Sequence, residues 1–205
     1  EHLFKSISMG INAGVKNYRL YIMVGLPNED ENDIKAIVDM TICLKQYMEK
    51  LGSKGTLTLS INPFIAKPCT PFQWSAMADL KQTEKYFKYI KSELKKYKNI
   101  EVQFESTKES FIQGILARGD RKISQVIYEA HLNGGSKAFK RALKTFKINA
   151  DDYLYRNFDK EELLPWDSLD MGFTKDYLWK ELQTALQEKH TIQCFDGCKR
   201  CGVCK

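Results

Sequence analysis

Apolar positions in the first half of the chain switch between the spacing of helices and the spacing of strands. Segments with an apolar residue every three or four positions predict helices, and short runs rich in β-branched and aromatic residues predict strands. The pattern predicts, in order, a helix over 1–13, a strand over Tyr18–Val24, a helix from a cap at Asn28 or Asp30 to about Lys50, a strand over Thr56–Ile61, a helix over 77–97 and a short strand over Ile100–Phe104.

This alternation predicts an α/β domain of parallel βαβ units over residues 1–104, because a helix between two strands returns the chain to the same edge of the sheet. The first two strands are expected to be parallel neighbours, with the loops that follow them at one edge. A parallel sheet needs neighbouring strands and helices on its faces. We therefore expect this sheet to continue in sequence outside the chain.

Residues 105–190 carry apolar positions at helical spacing and are expected to form an α-helical extension. The predicted helices span 107–117, 120–133, 136–146, 150–156 and 174–189. Residues 191–205 follow as a separate cysteine-rich tail.

The charge and hydropathy of the chain limit the kinds of binding partner that the sequence predicts. The 205 residues carry a net charge of +6, much of it in the lysine-rich segments 81–98 and 137–147. A basic balance permits binding to RNA, but a solvated helix face is the simpler explanation, because no arginine-rich block accompanies the lysines. No apolar run approaches the ~20 residues that cross a bilayer, so no membrane partner is predicted.

Four of the six cysteines, Cys194, Cys198, Cys201 and Cys204, lie within eleven residues. Most of the chain has no cysteine to pair with, which favours a reducing, cytoplasmic setting over a disulfide scaffold. Gaps of two or three residues allow successive thiolates to converge on one metal centre, with Gly197 and Gly202 supplying the turns. The spacing fits an iron–sulfur cluster or a tetrahedral zinc ion.

The segments Lys16–Glu29 and Ser60–Trp74 resemble the fifth and sixth strands, with their following loops, of radical S-adenosylmethionine barrels. Three further blocks occur in the same order in one poorly characterised family of these proteins, which usually has an upstream cobalamin-binding-type domain. They are Ala117–Lys122, Leu164–Asp167 with Gly172, and the cysteine tail. The chain is thus similar to the last two βα units of a partial TIM barrel, followed by the helical extension and the tail.

The resemblance implies a site for S-adenosylmethionine at the carboxyl ends of the two strands. The implied residues are Gly25, Leu26, Pro27, Glu29, Asn62, Pro63 and Phe64. Gly25 would let backbone approach a ligand, Glu29 would start the next helix, and the exit at 62–64 would offer polar backbone groups and an aromatic face to an adenine.

The family's catalytic 4Fe–4S cluster is held by a Cys-x3-Cys-x2-Cys loop after the first barrel strand, which would lie in an N-terminal barrel half upstream of this chain. The chain alone is therefore expected to be inactive and to need the rest of its own protein, whose cofactors would include cobalamin if the upstream domain binds it. Cys194, Cys198 and Cys201 have the catalytic spacing but follow the helices and carry Arg200 where the family has an aromatic residue. The competing hypothesis is a metal-stapled module that binds RNA or protein without catalysis.

Overall fold

The computed structural model describes residues 2–204, which form a small parallel sheet and a series of helices. The helices are α1 (His2–Asn12), α2 (Glu31–Lys50), α3 (Leu80–Leu94), α4 (Thr107–Arg118), α5 (Ile123–Leu132), α6 (Phe139–Thr145), α7 (Asp151–Leu154) and α8 (Lys175–Leu186). The strands are β1 (Tyr18–Val24), β2 (Leu57–Pro63) and β3 (Ile100–Phe104), and short 3-10 turns occupy Pro71–Trp74 and Gly135–Ala138.

The three strands form one parallel sheet in the order β1-β2-β3. Tyr18 is aligned with Leu57, and Leu57 with Ile100. The predicted α/β class and the parallel pairing of the first two strands are therefore confirmed. The sheet gains a third parallel member because α3 returns the chain to the same edge.

Capping side chains set the helix starts more sharply than apolar spacing does. Asp30, one of the two predicted caps, accepts hydrogen bonds from the amides of Asn32 and Asp33, whereas Asn28 has a left-handed backbone with φ 67°. Helix α2 therefore begins at Glu31, and the expectation that Glu29 starts it is wrong. Asp79 likewise caps α3, which delays its start from the predicted 77 to Leu80.

The described residues divide into two compact units. The first unit comprises residues 2–64 and 78–107, and the second comprises residues 65–77 and 108–204. All three strands lie in the first unit, while the proline-rich segment after β2 belongs to the second.

The core of the first unit lies between one face of the sheet and helices α1, α2 and α3. Leu57, Leu59 and Ile61 of β2 are fully buried there. The helices contribute a set of apolar side chains that contact them: Ile7, Ile34, Val38, Leu44, Met48, Phe87, Ile90 and Leu94. The strand side chains of this face alternate at period two, as a half-covered sheet requires.

The opposite face of the sheet is open and largely polar. Tyr21 is 75% exposed and Met23 is 53% exposed, although both lie on a parallel strand. Arg19 donates a hydrogen bond to the side chain of Gln103 across β2 at 2.9 Å. The sheet is thus covered on one side only, whereas finished parallel sheets are normally covered on both.

The second unit has its own core, centred on tryptophans. Trp74 packs edge-on against Trp179 with ring centroids 5.1 Å apart, and Trp166 donates to the buried side chain of Gln73. These contacts join the proline-rich segment to residues about a hundred positions later, and they explain why that segment folds with the helical extension.

No helix of residues 2–204 is both long enough and apolar enough to cross a membrane.

Candidate functional sites

The first residues of the two predicted strand-end loops lie side by side at the carboxyl edge of the sheet. Val24, the last residue of β1, is aligned with Pro63, the last residue of β2. The amide of Phe64 donates to the carbonyl of Val24 at 2.8 Å and extends the pairing by one step. Within the first unit, the two loops therefore start at the same edge of the sheet, as predicted.

Gly25 turns the chain out of β1. Its φ of +91° is left-handed, and a Cβ at this position would lie 3.0 Å from the Cβ of Ala78. Both features favour glycine. Residues with a side chain are strained at such φ values, and their Cβ atom would be too close to Ala78. The fold itself thus calls for glycine here, and the approach of a ligand to Gly25 stays a prediction.

Glu29 folds back over this turn. Its carboxylate accepts the amide hydrogen of Gly25 and is also bonded by the amide of Leu26. Burial raises the pKa of Glu29, the two amide bonds oppose that effect, and Asp33 adds to it. Glu29 therefore stabilises the loop shape, and the Gly25 and Leu26 amides are engaged inside the loop.

The remaining predicted residues of this edge differ in accessibility. Leu26, Pro27 and Asn62 are partly exposed, whereas Pro63 is buried and Phe64 is 6% exposed. In this structure Asn62 alternates with buried neighbours and lies on the open face of the sheet, in register with Met23. Side-chain access to a ligand is thus offered mainly by Asn62, and the ring of Phe64 is covered.

The cysteine tail returns to the start of α8. The amide of Thr174, the N-cap of α8, donates to the carbonyl of Cys201 at 2.9 Å. Gly197 and Gly202 have φ values of 81° and 90°, so they supply the two predicted turns. The guanidinium of Arg200 donates to the Sγ of Cys198 at 3.1 Å and to the carbonyl of Ile192.

The thiol of Cys194 is influenced by the other three thiols of the tail. The hydrogen bond from Arg200 is the main cause of a lowered pKa at Cys198, while the charge of Cys198 is the main cause of a raised pKa at Cys194. Cys201 and Cys204 also raise the pKa of Cys194. Within residues 2–204, no group of three or more Cys, His, Asp or Glu side chains is arranged to hold a metal ion, and all four cysteines are free.

Two of the sequence blocks that carry the family resemblance meet in the second unit. Residues of Ala117–Lys122 and of Leu164–Asp167 line the same cavity of about 750 Å³. Asp167 itself accepts hydrogen bonds from the amide of Leu164 and from Lys175, each within 2.9 Å. Sequence reasoning missed this cavity, because its walls come from positions more than forty residues apart.

Comparison with known proteins finds a relative of the chain but no family model. The chain is 34% identical over 155 residues to "Uncharacterized protein MJ0966" of Methanocaldococcus jannaschii, and the match covers 76% of this chain. The same match covers 32% of the archaeal protein, so the chain spans about a third of that relative's length. No protein-family model matches the chain. No solved structure matches it either.

Proposed function

We propose that this chain is the C-terminal part of a radical S-adenosylmethionine enzyme. The observation that carries the proposal is the pairing of β1 with β2, which brings the Gly25–Glu29 loop beside Phe64 at the carboxyl edge of a parallel sheet. Ligands of parallel α/β folds bind at this edge, where strands end and loops begin. The sequence resemblance supplies the class of ligand.

The open face of the sheet supports the barrel part of the proposal. In a βα barrel the helices cover the outside of the sheet, and the inner face is completed by strands from the rest of the barrel. The described sheet has helices on one face and exposed Tyr21 and Met23 on the other. An N-terminal barrel half of the same protein would cover this face, and the length of the archaeal relative leaves room for one.

The residues present fit a supporting role for the cofactor rather than its activation. Glu29 fixes the turn, Gly25 keeps the strand exit narrow, and Asn62 offers a polar side chain at the open face. A reduced 4Fe–4S cluster, held by the missing barrel half, would supply the electron that splits S-adenosylmethionine into methionine and a carbon radical. Such chemistry requires a reducing compartment, so the proposal includes a cytoplasmic setting.

The test is cleavage of S-adenosylmethionine by the full-length protein that contains this chain. After anaerobic reconstitution with iron and sulfide and reduction with dithionite, we expect it to release 5′-deoxyadenosine, while the 205-residue chain alone releases none. Cleavage by the chain alone would assign catalysis to the cysteine tail. Absence of cleavage and of S-adenosylmethionine binding by the full-length protein would leave the metal-stapled module that binds RNA or protein.

A matched pair of glycine variants tests the strand-end site. Gly25 and Gly14 both have left-handed φ values, 91° and 88°, but a Cβ on Gly14 meets nothing within 4 Å. Gly25→Ala should lower the cleavage rate about tenfold or more, because small displacements of a positioning loop have large kinetic effects. Gly14→Ala carries similar backbone strain and should stay close to wild type. Equal rates for the two variants would remove Gly25 from the site.

The proposal assigns the cysteine tail a metal centre of its own. Its turns, its return to α8 and the influence of three tail thiols on Cys194 provide the setting. Four thiolates at this spacing would repel one another unless a cation or cluster gathers them. The metal centre would fasten the tail to α8 or relay electrons. To form it, the four sulfurs must come closer together than they are in the described conformation.

Metal analysis after anaerobic purification tests this assignment. Brown colour with iron and acid-labile sulfide would identify a cluster, and stoichiometric zinc without colour would identify a structural site. Cys198→Ser should lose most of the metal, whereas Cys43→Ser, which changes an exposed cysteine outside the tail, should retain it. Rapid alkylation of all four tail thiols in folded, metal-free protein would contradict the assignment.

A further inference from the structure

The cavity of the second unit has the size and the walls of a ligand site. Its volume of about 750 Å³ lies in the range of roughly 300–1,000 Å³ that small-molecule sites occupy. The walls come from the end of α4, the connector to α5, the segments on both sides of α7, and residues 162–168. The cavity lies entirely within the second unit, and the proposed radical chemistry does not use it.

Positive charge is concentrated on these walls. Five cationic side chains line the cavity: Arg118, Arg121, Lys122, Lys147 and Arg156. Within residues 2–204, the side chains of Arg121, Lys122 and Lys147 take part in none of the ion pairs. Their ammonium and guanidinium groups therefore remain available to an anionic ligand.

Three carboxylates also line the cavity, and each has a hydrogen-bond partner within the lining. The two carboxylate oxygens of Glu162 accept hydrogen bonds from the two terminal nitrogens of Arg156, each at 2.7 Å. Asp120 accepts the hydroxyl of Tyr153 at 3.2 Å, and burial followed by the charge of Asp120 raises the pKa of Tyr153 to about 12. Asp152 accepts from the side-chain amide of Asn149 at 3.0 Å. The five cationic side chains outnumber these three carboxylates by two, so the lining carries a net positive charge.

Arg118 adds a buried charge without a carboxylate of its own. It is 2% exposed, and its terminal nitrogens donate to the carbonyls of Leu154 and Arg156 at 3.2 and 2.7 Å. Its Nε has no hydrogen-bond partner among the described residues. Glu162 pairs with Arg156 and acts on Arg118 only through its charge.

This arrangement lowers the electrostatic cost of binding an anion. Burial, and then the charge of Arg156, lower the pKa of Arg118 to about 10, so the guanidinium stays charged at neutral pH. A buried charge without a counter-ion is costly. An anion that enters the cavity would offset that cost, while the exposed Arg121 and Lys122 would bind it directly.

We propose that the cavity binds a phosphate-bearing small molecule of nucleotide size. Guanidinium groups match phosphate oxygens in charge and geometry. Phe146 and Tyr153 also line the cavity and offer apolar contact to a planar ring beside the phosphate. The cavity volume of about 750 Å³ accommodates a molecule of this size.

Calorimetric titration of the protein with pyrophosphate, AMP and adenosine tests the proposal. Pyrophosphate and AMP should bind and adenosine should not. The double variant Arg121→Gln/Lys122→Gln, at two exposed positions, should weaken AMP binding about tenfold or more. The double variant Lys137→Gln/Lys144→Gln removes the same charge outside the cavity and should leave AMP affinity within about twofold.

Three results would overturn the proposal. They are equal weakening by the two double variants, equal binding of adenosine and AMP, and binding of a single-stranded oligonucleotide without binding of AMP or pyrophosphate. The first would indicate a general charge effect, the second a site that ignores phosphate, and the third an extended nucleic-acid surface. None depends on cleavage of S-adenosylmethionine, so this test and that of the proposed enzymatic function fail independently.

Discussion

Gly55→Ala is expected to destabilise the first unit by more than about 3 kcal/mol, a large effect for a single methyl group. Gly55 lies just before β2, where the chain passes directly over the entry to β1. A Cβ on Gly55 would overlap the carbonyl oxygen of Lys16 and lie 3.2 Å from the Oδ1 of Asn17. The obstacle is backbone, so rotation of a side chain cannot relieve it.

The surrounding contacts leave little freedom for Gly55 to move. Its carbonyl accepts a hydrogen bond from Lys45, a 3% exposed side chain, at 2.9 Å. The next amide, that of Thr56, donates to Asn17 at 2.9 Å. A shift large enough to admit a methyl group would break these bonds and separate the first residues of β1 and β2. Small-to-large changes of this kind are costly because packed backbones transmit the displacement.

Gly52→Ala is the matched control for this prediction. Gly52 lies in the same connector with φ +80° and nothing within 4 Å of a Cβ, so its substitution should cost about 1–2 kcal/mol of backbone strain. The stability of the first unit is measured by hydrogen exchange of the β2 amides. Tryptophan fluorescence would not report on this unit, because all three tryptophans lie in the second. Equal destabilisation by the two variants would show that the close approach at Lys16 is not limiting.

The strands were the part of the fold most accessible from sequence. Tyr18–Val24 and Ile100–Phe104 coincide with the predicted strands, because β-branched and aromatic residues fill them and Gly or Asn bounds them. The second strand runs two residues further than predicted, to Pro63. Pro63 can end the strand because the missing amide hydrogen costs little at a strand terminus.

Helix ends and long-range partners were less accessible. The predicted helix over 174–189 ends at Leu186, and the predicted 120–133 begins only at Ile123, because caps and tertiary contacts decide the last turn. The contact of Gln73 with Trp166 joins positions far apart and leaves no local signal. The thiol spacing indicated a metal centre but could not show whether the four sulfurs meet, since turns between them allow several arrangements.

Arg118→Met is expected to destabilise the second unit by about 2–4 kcal/mol, because it removes one buried and one partly buried hydrogen bond and a desolvated cation–π contact. The guanidinium carbon of Arg118 lies 3.9 Å from the ring centroid of Phe158. Methionine fills a similar space but has no donor. The carbonyl of Leu154 would keep its bond from the amide of Met77, whereas the carbonyl of Arg156 would lose the Arg118 bond.

One effect opposes this loss. Removing a buried charge also removes its desolvation cost, and replacement of buried ionic groups by apolar residues is neutral or stabilising in some proteins. Here the partners of Arg118 are backbone carbonyls, which cannot be replaced together with it. The balance therefore favours destabilisation, since the partly buried carbonyl of Arg156 loses its donor and the contact with Phe158 is lost as well.

Urea unfolding followed by tryptophan fluorescence measures this change, because Trp74, Trp166 and Trp179 all lie in the second unit. Arg121→Met is the matched control: it makes the same substitution three residues along at an exposed position of the cavity wall and should change stability by less than about 0.5 kcal/mol. An Arg118→Met protein as stable as wild type would show that desolvation dominates at this position. In that case Arg118 would be retained for the ligand it faces rather than for the fold.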